Sequence, residues 1–232
     1  MSEPNATSAP GEPTLRLYSG PLSMFGAKAQ IALHEKGLPF ELIMVPFGTN
    51  HRYEPKHSEV LRVNPKRQVP VLIHGAVEIF DSTQIFEYLE ELAPEPGLWP
   101  PSREERARAR LLELQSDEVY FPHIIRLMGL QDTPDDPAAV TARGGAAAFY
   151  SGMEALLEKA DWLAGRFSYA DIAFFMAQFF GDRMGAPIGP GLQRLIDWRT
   201  RMSTRPAVRT VIEPMARFLI GQGRRVPEWL SV

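Results

Sequence analysis

The amino-terminal part of the chain alternates short apolar runs with one longer stretch of helical character. The runs TLRLYS and PFELIMV, at residues 14–19 and 39–45, have the length of strands. Residues 24–36 between them predict a helix that ends before Gly37, a residue type that commonly follows a helix C-terminus. A strand, a helix and a second strand in this order predict a βαβ unit.

The segment QVPVLIHGAVEIFDS, residues 68–82, predicts a hairpin followed by the start of a helix. Two apolar runs of strand length flank a Gly turn. Pro70 opens the first run, which suits a position that needs no ladder N–H or a cis bond that shapes a turn. Asp81 and Ser82 precede a run with helical spacing, so they form a helix start whose free N–H groups can hold an anion. An extended backbone at Val69 near such a start predicts a site for a peptide-like molecule with a free carboxylate.

A Pro-rich segment, APEPGLWPPS at residues 93–102, separates this α/β part from the rest of the chain. Its turn signals make it the best candidate for a domain linker. The later segments are helical in pattern, and Gly and Pro clusters at 129–145 and 185–191 separate them. We therefore expect an α/β domain at 13–94 and an all-helical domain at 102–232. The predicted helices occupy residues 102–128, 146–163, 168–184, 191–204 and 206–220.

Composition narrows the classes of function. A formal net charge of −3 over 232 residues argues against a nucleic-acid surface, which needs a basic excess. The absence of cysteine excludes disulfides, thiolate metal sites and cysteine-based redox chemistry, and it fits a reducing cytoplasm. No apolar run approaches the length of about 20 residues that a membrane span needs. The polar start MSEPNATSAPGEP is expected to be a loose tail and not a signal peptide. We expect a cytoplasmic protein without a nucleic-acid or membrane partner.

The stretch 47–60 shows no regular pattern and contains His51, Glu54 and His57. Two histidines and a carboxylate could suggest a metal site, but the stretch offers no other convincing ligand. We therefore expect a solvated loop and no metal.

Three separated motifs resemble those of the cytosolic glutathione transferases. They are LYSGPLSMFGAKAQIAL at 17–33, NPKRQVPVL followed by DSTQIFEYL at 64–89, and FSYADIAF at 167–174. Each motif alone is weakly specific, but their order and spacing together identify the family. The resemblance runs from about Leu15 to Ile212 and implies a thioredoxin-like amino-terminal domain followed by a helical domain. It also implies glutathione as co-substrate and a homodimer that pairs the α/β domain of one subunit with the helical domain of the other.

The resemblance places Ser23 on the serine of theta- and zeta-like members, which activates the thiol of glutathione. A free cysteine thiol has a pKa of about 8.5, and a hydroxyl bonded to the sulfur beside helix N–H groups would favour the thiolate. The alternative role for Ser23 is simple helix capping. Ser19 occupies the family's tyrosine position and is the other candidate hydroxyl. The chain departs from these members at Gly26, where they usually carry Ser, and at Phe25, where zeta members carry Cys.

The resemblance also assigns the residues that hold glutathione. Val69 would exchange backbone hydrogen bonds with its cysteinyl part, and Pro70 would be cis. Asp81 and Ser82 would bind the γ-glutamyl end while also capping the helix. Gln68 would reach the glycyl carboxylate, a role in which His57 and Lys66 are further candidates.

Two features of the helical part are expected to serve the fold and the electrophile pocket respectively. Ser168 and Asp171 match a capping box before an apolar helix, which is a structural motif. Tyr120, His123 and Arg126 lie where family members build the electrophile pocket, although core or surface roles are favoured for each. Pro122 predicts a kink in this helix.

The function implied by the resemblance is conjugation of glutathione to a small electrophile, with no metal. One alternative is a specific glutathione-dependent isomerase, dehalogenase or ether-cleaving enzyme, and the missing Cys disfavours the zeta-type isomerase. The other is a non-catalytic protein-interaction module with the same fold.

Overall fold

A four-stranded sheet forms the centre of the amino-terminal region in the computed structural model, which describes residues 14–48, 52–54 and 56–230. The predicted tail and His51 lie outside the described residues. The strands are β1 (Leu15–Ser19), β2 (Phe40–Met44), β3 (Val71–His74) and β4 (Val77–Phe80).

The order of the strands is β2-β1-β3-β4. Leu17 of β1 lies opposite Leu42 in a parallel pair and opposite Leu72 in an antiparallel pair. A parallel pair needs a crossover connection, which α1 (Met24–Glu35) provides. β3 and β4 form a hairpin around Gly75, whose φ of 61° suits a residue without a Cβ. The predicted βαβ unit and hairpin are confirmed.

Helices make up the regular structure of the rest of the described chain. The predicted fold class, a thioredoxin-like α/β region followed by an all-helical one, is confirmed. The remaining helices are α2 (Ser58–Val63), α3 (Ser82–Leu92), α4 (Arg103–Gln115), a π-helical turn (Ser116–Tyr120), α5 (Phe121–Met128), α6 (Pro137–Leu156), α7 (Tyr169–Arg183), α8 (Gln193–Thr204) and α9 (Pro206–Gly221).

A π-helical turn lies between α4 and α5, directly before the segment where the sequence predicts a kink at Pro122. Pro122 lies in the first turn of α5, a position that proline commonly occupies. Phe121, the first residue of α5, packs into the core.

Helix α7 is buried along its whole length and anchors the helical region. The carboxylate of Asp171 accepts hydrogen bonds from the backbone N of Leu163 at 3.0 Å and of Ser168 at 2.9 Å. It also accepts one from Nε1 of Trp198 at 2.9 Å. Burial raises the pKa of Asp171 to about 6 against the opposing effect of these donors. These contacts agree with the structural role predicted for the capping box.

Two element predictions were wrong. The segment 129–145 was expected to separate helices, but α6 already begins at Pro137 and runs through Gly144 and Gly145. A Cβ on Gly145 would overlap the ring of His123, so the glycine allows α5 and α6 to pack closely. Helix α6 also ends at Leu156 and not at 163. In the stretch 47–60, expected to be irregular, Ser58 begins α2.

Candidate functional site

Ser23 caps the amino terminus of α1. Its backbone is extended, with φ −96° and ψ 112°, and its Oγ accepts a hydrogen bond from the N–H of Gly26 at 3.0 Å. This bond uses the oxygen as an acceptor, so the hydroxyl proton is still available for donation. The first N–H groups of a helix also have no intrahelical acceptor. The helix start therefore presents an O–H donor and backbone donors at one point.

Ser19, the other candidate hydroxyl, is fully buried beneath α1. Its Oγ accepts a hydrogen bond from Nε2 of Gln30 at 2.8 Å. A Cβ on Gly26 would overlap this hydroxyl, which explains why a glycine stands where relatives usually carry Ser. Ser23 lines a cavity at this helix start, whereas Ser19 is not among the lining residues.

A cavity of about 450 Å³ lies between the start of α1 and the helical region. One part of its wall is apolar and comes from α5, α7 and the segment after β2, and another part is basic. Its lining residues include Ser23, Phe25, Phe47, Arg52, Tyr53, Lys56, His57, Arg67, Gln68, Val69, Phe121, Met128, Phe180, Arg183, Met184 and Arg224.

A second cavity, of about 820 Å³, brings together all five residues predicted to hold glutathione. Phe25, Gln68 and Val69 line both cavities, so the two are adjacent. The predicted set that lines the second cavity is Gln68, Val69, Pro70, Asp81 and Ser82, with Lys66 beside them.

Val69 and Pro70 form the edge between the two cavities. The bond that joins them is cis, as the resemblance implied. Val69 lies outside β3, and its backbone N–H and C=O make no hydrogen bond to any residue that the structure describes. An extended peptide could therefore pair with this backbone as an additional strand.

Asp81 and Ser82 stand at the amino terminus of α3. Asp81 has a φ of 79°, a region that favours glycine, and its carboxylate accepts a hydrogen bond from the N–H of Thr83 at 3.0 Å. Ser82 is buried directly behind it. A non-glycine residue in this strained conformation is typical of binding sites, where the surrounding fold holds it in place.

A buried lysine pairs with two of the carboxylates that line the second cavity. Lys28 of α1 contacts the carboxylates of Glu113 at 2.9 Å and Asp117 at 2.5 Å. Burial alone would lower the pKa of Lys28, but the two carboxylates more than offset it, so the pKa is raised. Burial raises the pKa of Asp117 to about 6, although Lys28 opposes this shift. The cluster joins α1 to the start of the helical region.

The structure separates three other predicted candidates from both cavities. Tyr120 is fully buried, and its hydroxyl shares a hydrogen bond with that of Tyr150. His123 packs against Gly145, and Arg126 is exposed. The apolar wall of the first cavity is instead built by neighbours of these residues, Phe121 and Met128, together with Phe180 and Met184 at the end of α7.

Several lining residues could not be identified from the sequence. Tyr53 reaches the helix start, where its hydroxyl accepts a hydrogen bond from the N–H of Leu22 at 3.1 Å. Burial raises the pKa of Tyr53 to about 12, so the hydroxyl stays protonated near neutral pH. Arg183 and Arg224 come from the last third of the chain. No local motif marks these residues, because only the tertiary fold brings them to Ser23.

His57 caps α2 and also lines the first cavity. Its Nδ1 accepts a hydrogen bond from the N–H of Glu59 at 3.2 Å, which caps α2, and its ring packs against Tyr18. Within the described part of the chain, no group of three or more His, Asp or Glu side chains could hold a metal ion. Among the described helices, none combines the length and apolar character needed to cross a membrane.

Two family models match the chain. The amino-terminal domain model of glutathione S-transferases matches residues 17–97, and the carboxy-terminal domain model matches residues 118–206. Between them they cover both regions of the fold, including Ser23 and the whole predicted glutathione-binding set.

Individual relatives agree with these matches. The chain is 43% identical over 116 residues to Glutathione S-transferase 1 of Dianthus caryophyllus, which covers 50% of this chain and 49% of that protein. It is 29% identical to FtsZ-localized protein A of Caulobacter vibrioides, over 84% of this chain and 90% of that protein. The crystal structure of glutathione transferase F7 from Populus trichocarpa is similar with a TM-score of 0.75 at 25% identity, over 87% of this chain and 99% of that chain.

Proposed function

Because the chain belongs to the cytosolic glutathione S-transferase family, we propose that it activates the thiol of glutathione and joins it to a small electrophile. Glutathione is the co-substrate. The proposed division of labour assigns glutathione to the α/β domain at 13–94 and the electrophile to the helical domain at 102–232.

The observation that carries the proposal is the position of Ser23. Its hydroxyl accepts from Gly26 and retains a proton to donate, at a helix start that lines a cavity. A thiolate placed there would accept a hydrogen bond from the Ser23 hydroxyl and lie near the positive end of the α1 dipole. Both interactions are stronger for the anion than for the thiol, so both lower the pKa of bound glutathione.

The remaining residues would orient glutathione along the adjacent cavity. The backbone of Val69, which has no partner among the described residues, would take the cysteinyl part. Ser82 with the N–H groups of α3 would take the γ-glutamyl carboxylate. Asp81 would pair with the ammonium group. Gln68, which lines both cavities, would contact the glycyl end.

The apolar wall opposite Ser23 suits an electrophile with an aromatic or other apolar body. Phe121 and Phe180 pack edge to face, with their ring centres 6.3 Å apart, and both line the same cavity as Ser23. An apolar site next to the thiolate would exclude water from the reacting carbon and strengthen the local electrostatic interactions.

The proposal is tested by retention on immobilised glutathione and by turnover of a chloro-nitroaromatic. In that reaction the thiolate sulfur forms a bond to the ring carbon, chloride leaves, and the thiol proton goes to solvent. We expect retention, and turnover well above the rate without protein. A protein that binds glutathione but does not accelerate this reaction or that of other halogenated or epoxide electrophiles would contradict conjugation.

A second candidate is a protein-interaction module, favoured by the similarity to a protein named FtsZ-localized protein A. In this case the fold would present a surface to another protein, and glutathione turnover would be absent. The convergence of Ser23 with the predicted glutathione-binding set argues for the enzyme. A protein that is not retained on immobilised glutathione and has no turnover would favour the module.

A further inference from the structure

The cavity at Ser23 has an unusual charge. Five of its lining residues are Arg or Lys, and none of the described lining residues is Asp or Glu. The adjacent cavity has the opposite character, because Glu78, Asp81, Glu113, Asp117 and Glu118 line it and Lys66 is its one basic residue among those described. The basic residues of the first cavity are Arg52, Lys56, Arg67, Arg183 and Arg224.

Arg183, at the end of α7, is the most unusual of these cations because it is only 5% exposed. Its Nε donates a hydrogen bond to the carbonyl of Arg225 at 3.2 Å, and its guanidinium lies 5.1 Å from the ring centre of Phe180. It makes no ion pair with the described residues. A buried charge without a carboxylate partner is costly, and a bound anion would offset that cost.

Arg224 also lines this cavity, shortly after the end of α9 at Gly221, with its guanidinium 5.7 Å from the ring centre of Phe47. It too has no carboxylate partner within the part of the chain that the structure describes. Burial lowers the pKa of Arg183 to about 10, and the charge of Arg224 adds to this shift, so the two guanidinium groups repel one another. An anion between them would interact favourably with both.

Glutathione does not account for these two arginines. Its glycyl carboxylate is expected beside Gln68, next to Arg67 and the loop that carries Arg52 and Lys56. Its γ-glutamyl carboxylate is expected at Ser82, which lines the other cavity. Arg183 and Arg224 belong to the helical region and adjoin the aromatic wall on which the electrophile would lie.

We propose that the electrophile carries a carboxylate on an apolar, aromatic body, and that Arg183 and Arg224 bind this carboxylate. The inference rests on the proposed function, since it names the substrate class of the same site. The aromatic body would pack against Phe121 and Phe180 while its anionic end meets the two guanidinium groups.

The test compares two chemically prepared conjugates, S-(carboxy-nitrophenyl)glutathione and the matched carboxamide, by calorimetry. They share size and glutathione moiety and differ in one charge. The unmodified protein should bind the carboxylate about tenfold or more tightly than the amide, as expected for a hydrogen-bonded charge. In Arg183→Met and Arg224→Met, the ratio of the affinity for the carboxylate conjugate to that for the amide should fall towards one.

Arg225→Met is the matched control, because Arg225 is the next residue and does not line the cavity. Its guanidinium lies 4.0 Å from the carboxylate of Asp182 and 3.9 Å from that of Glu228. Only its backbone carbonyl, which the substitution keeps, bonds to Arg183. It removes the same charge and should keep the selectivity.

Arg183 is buried, so a melting curve checks the folding of its variant, while exposed Arg224 gives an independent answer. Equal binding of the two conjugates by the unmodified protein would overturn the proposal, as would an unchanged ratio in both cavity variants. So would an equal loss of affinity for glutathione itself, which would assign the arginines to glutathione.

Turnover separates this inference from the proposed function. A protein that prefers the carboxylated conjugate but does not form it from glutathione and chloro-nitrobenzoate would refute conjugation and keep the anion site. A protein that forms both conjugates without preferring the carboxylate in binding would refute the anion site and keep conjugation.

Discussion

At the scale of single residues, two features mark the candidate site: the strained backbone of Asp81, and the hydroxyl of Ser23, whose oxygen already accepts a hydrogen bond. Asp81 has a φ of 79° and caps α3 through Thr83. Helix capping alone would not require that conformation, since Ser23 and Ser102 cap their helices from extended backbone. The strain is therefore better explained by presentation of the Asp81 carboxylate and the α3 N–H groups to a ligand.

Asp81→Ala and Ser82→Ala are each expected to weaken glutathione binding by about tenfold or more, because a hydrogen bond to a charged group contributes about 1.5–3 kcal/mol. Calorimetry measures the affinity. Ser102→Ala is the control: Ser102 caps α4 by accepting the N–H of Glu105 at 3.1 Å and lines neither cavity, so its loss should affect stability alone. Unchanged affinity in both site variants would remove α3 from the site.

At the scale of elements, the glycine pair of α6 shows how packing overrides a local pattern. Gly144 and Gly145 reduce helix propensity, yet both lie inside a helix of 20 residues. A Cβ on Gly144 would meet nothing within 4 Å, whereas one on Gly145 would overlap the ring of His123. The first glycine is thus dispensable for the fold, and the second one fixes the distance between α5 and α6.

Gly144→Ala should raise the free energy of unfolding by about 0.5–1 kcal/mol, through better helix propensity at an open position. Gly145→Ala should leave the free energy of unfolding unchanged or lower it, because the ring of His123 must move to make room for the Cβ. Chemical denaturation measures both. Adding His123→Ala to Gly145→Ala should recover stability. If the two alanine variants are equally stable, His123 does not limit the packing of the two helices.

The elements that the sequence predicted correctly are those with local signals. The hairpin at β3–β4 has two apolar runs and a Gly turn, and the starts of α1 and α3 have a capping Ser and Asp. Helix α2 was missed because it has six residues and is capped by the side chain of His57, which is not a typical capping residue. Arg183, Arg224 and Tyr53 were missed because their role depends on distances between elements far apart in sequence.

At the scale of the whole molecule, the cluster of Lys28, Glu113 and Asp117 ties the α/β region to the helical region beside the proposed glutathione cavity. Thr83 of α3 also joins it, since its hydroxyl donates to Glu113 at 2.9 Å. Binding of glutathione and docking of the two regions should therefore influence one another.

Titration of Asp117 should make the stability of the protein depend on pH. Burial raises its pKa to about 6 in the folded state, whereas an unfolded Asp has a pKa of about 3.9. The folded state thus binds more protons between these values, so this contribution to stability is present below about pH 4 and is lost as the pH rises through 6. Relative to Asp117→Asn, the unmodified protein should lose stability from pH 4 to 6. A constant difference between the two denaturation curves would contradict this.

The protein is expected to be a homodimer, in line with its family. Leu111 and Leu114 of α4 are 52% and 53% exposed, and a partner subunit could cover them. Light scattering should give about twice 26 kDa, and Leu111→Glu combined with Leu114→Glu should give the monomer. Ile220→Glu, at a similarly exposed position of α9, should leave the dimer intact. An unmodified protein of 26 kDa that still conjugates glutathione would contradict this assembly.

The central claim is that Ser23 stabilises the thiolate of bound glutathione, and a pH titration of thiolate absorbance tests it most directly. The complex with the unmodified protein should titrate below the value of about 8.5 for a free cysteine thiol. In Ser23→Ala the midpoint should rise by about one pH unit or more, with glutathione affinity nearly unchanged. Ser19→Ala, which alters a hydroxyl bonded to Gln30 beneath α1, should leave the midpoint where it is. An unchanged midpoint in Ser23→Ala, or a rise in Ser19→Ala alone, would contradict the account.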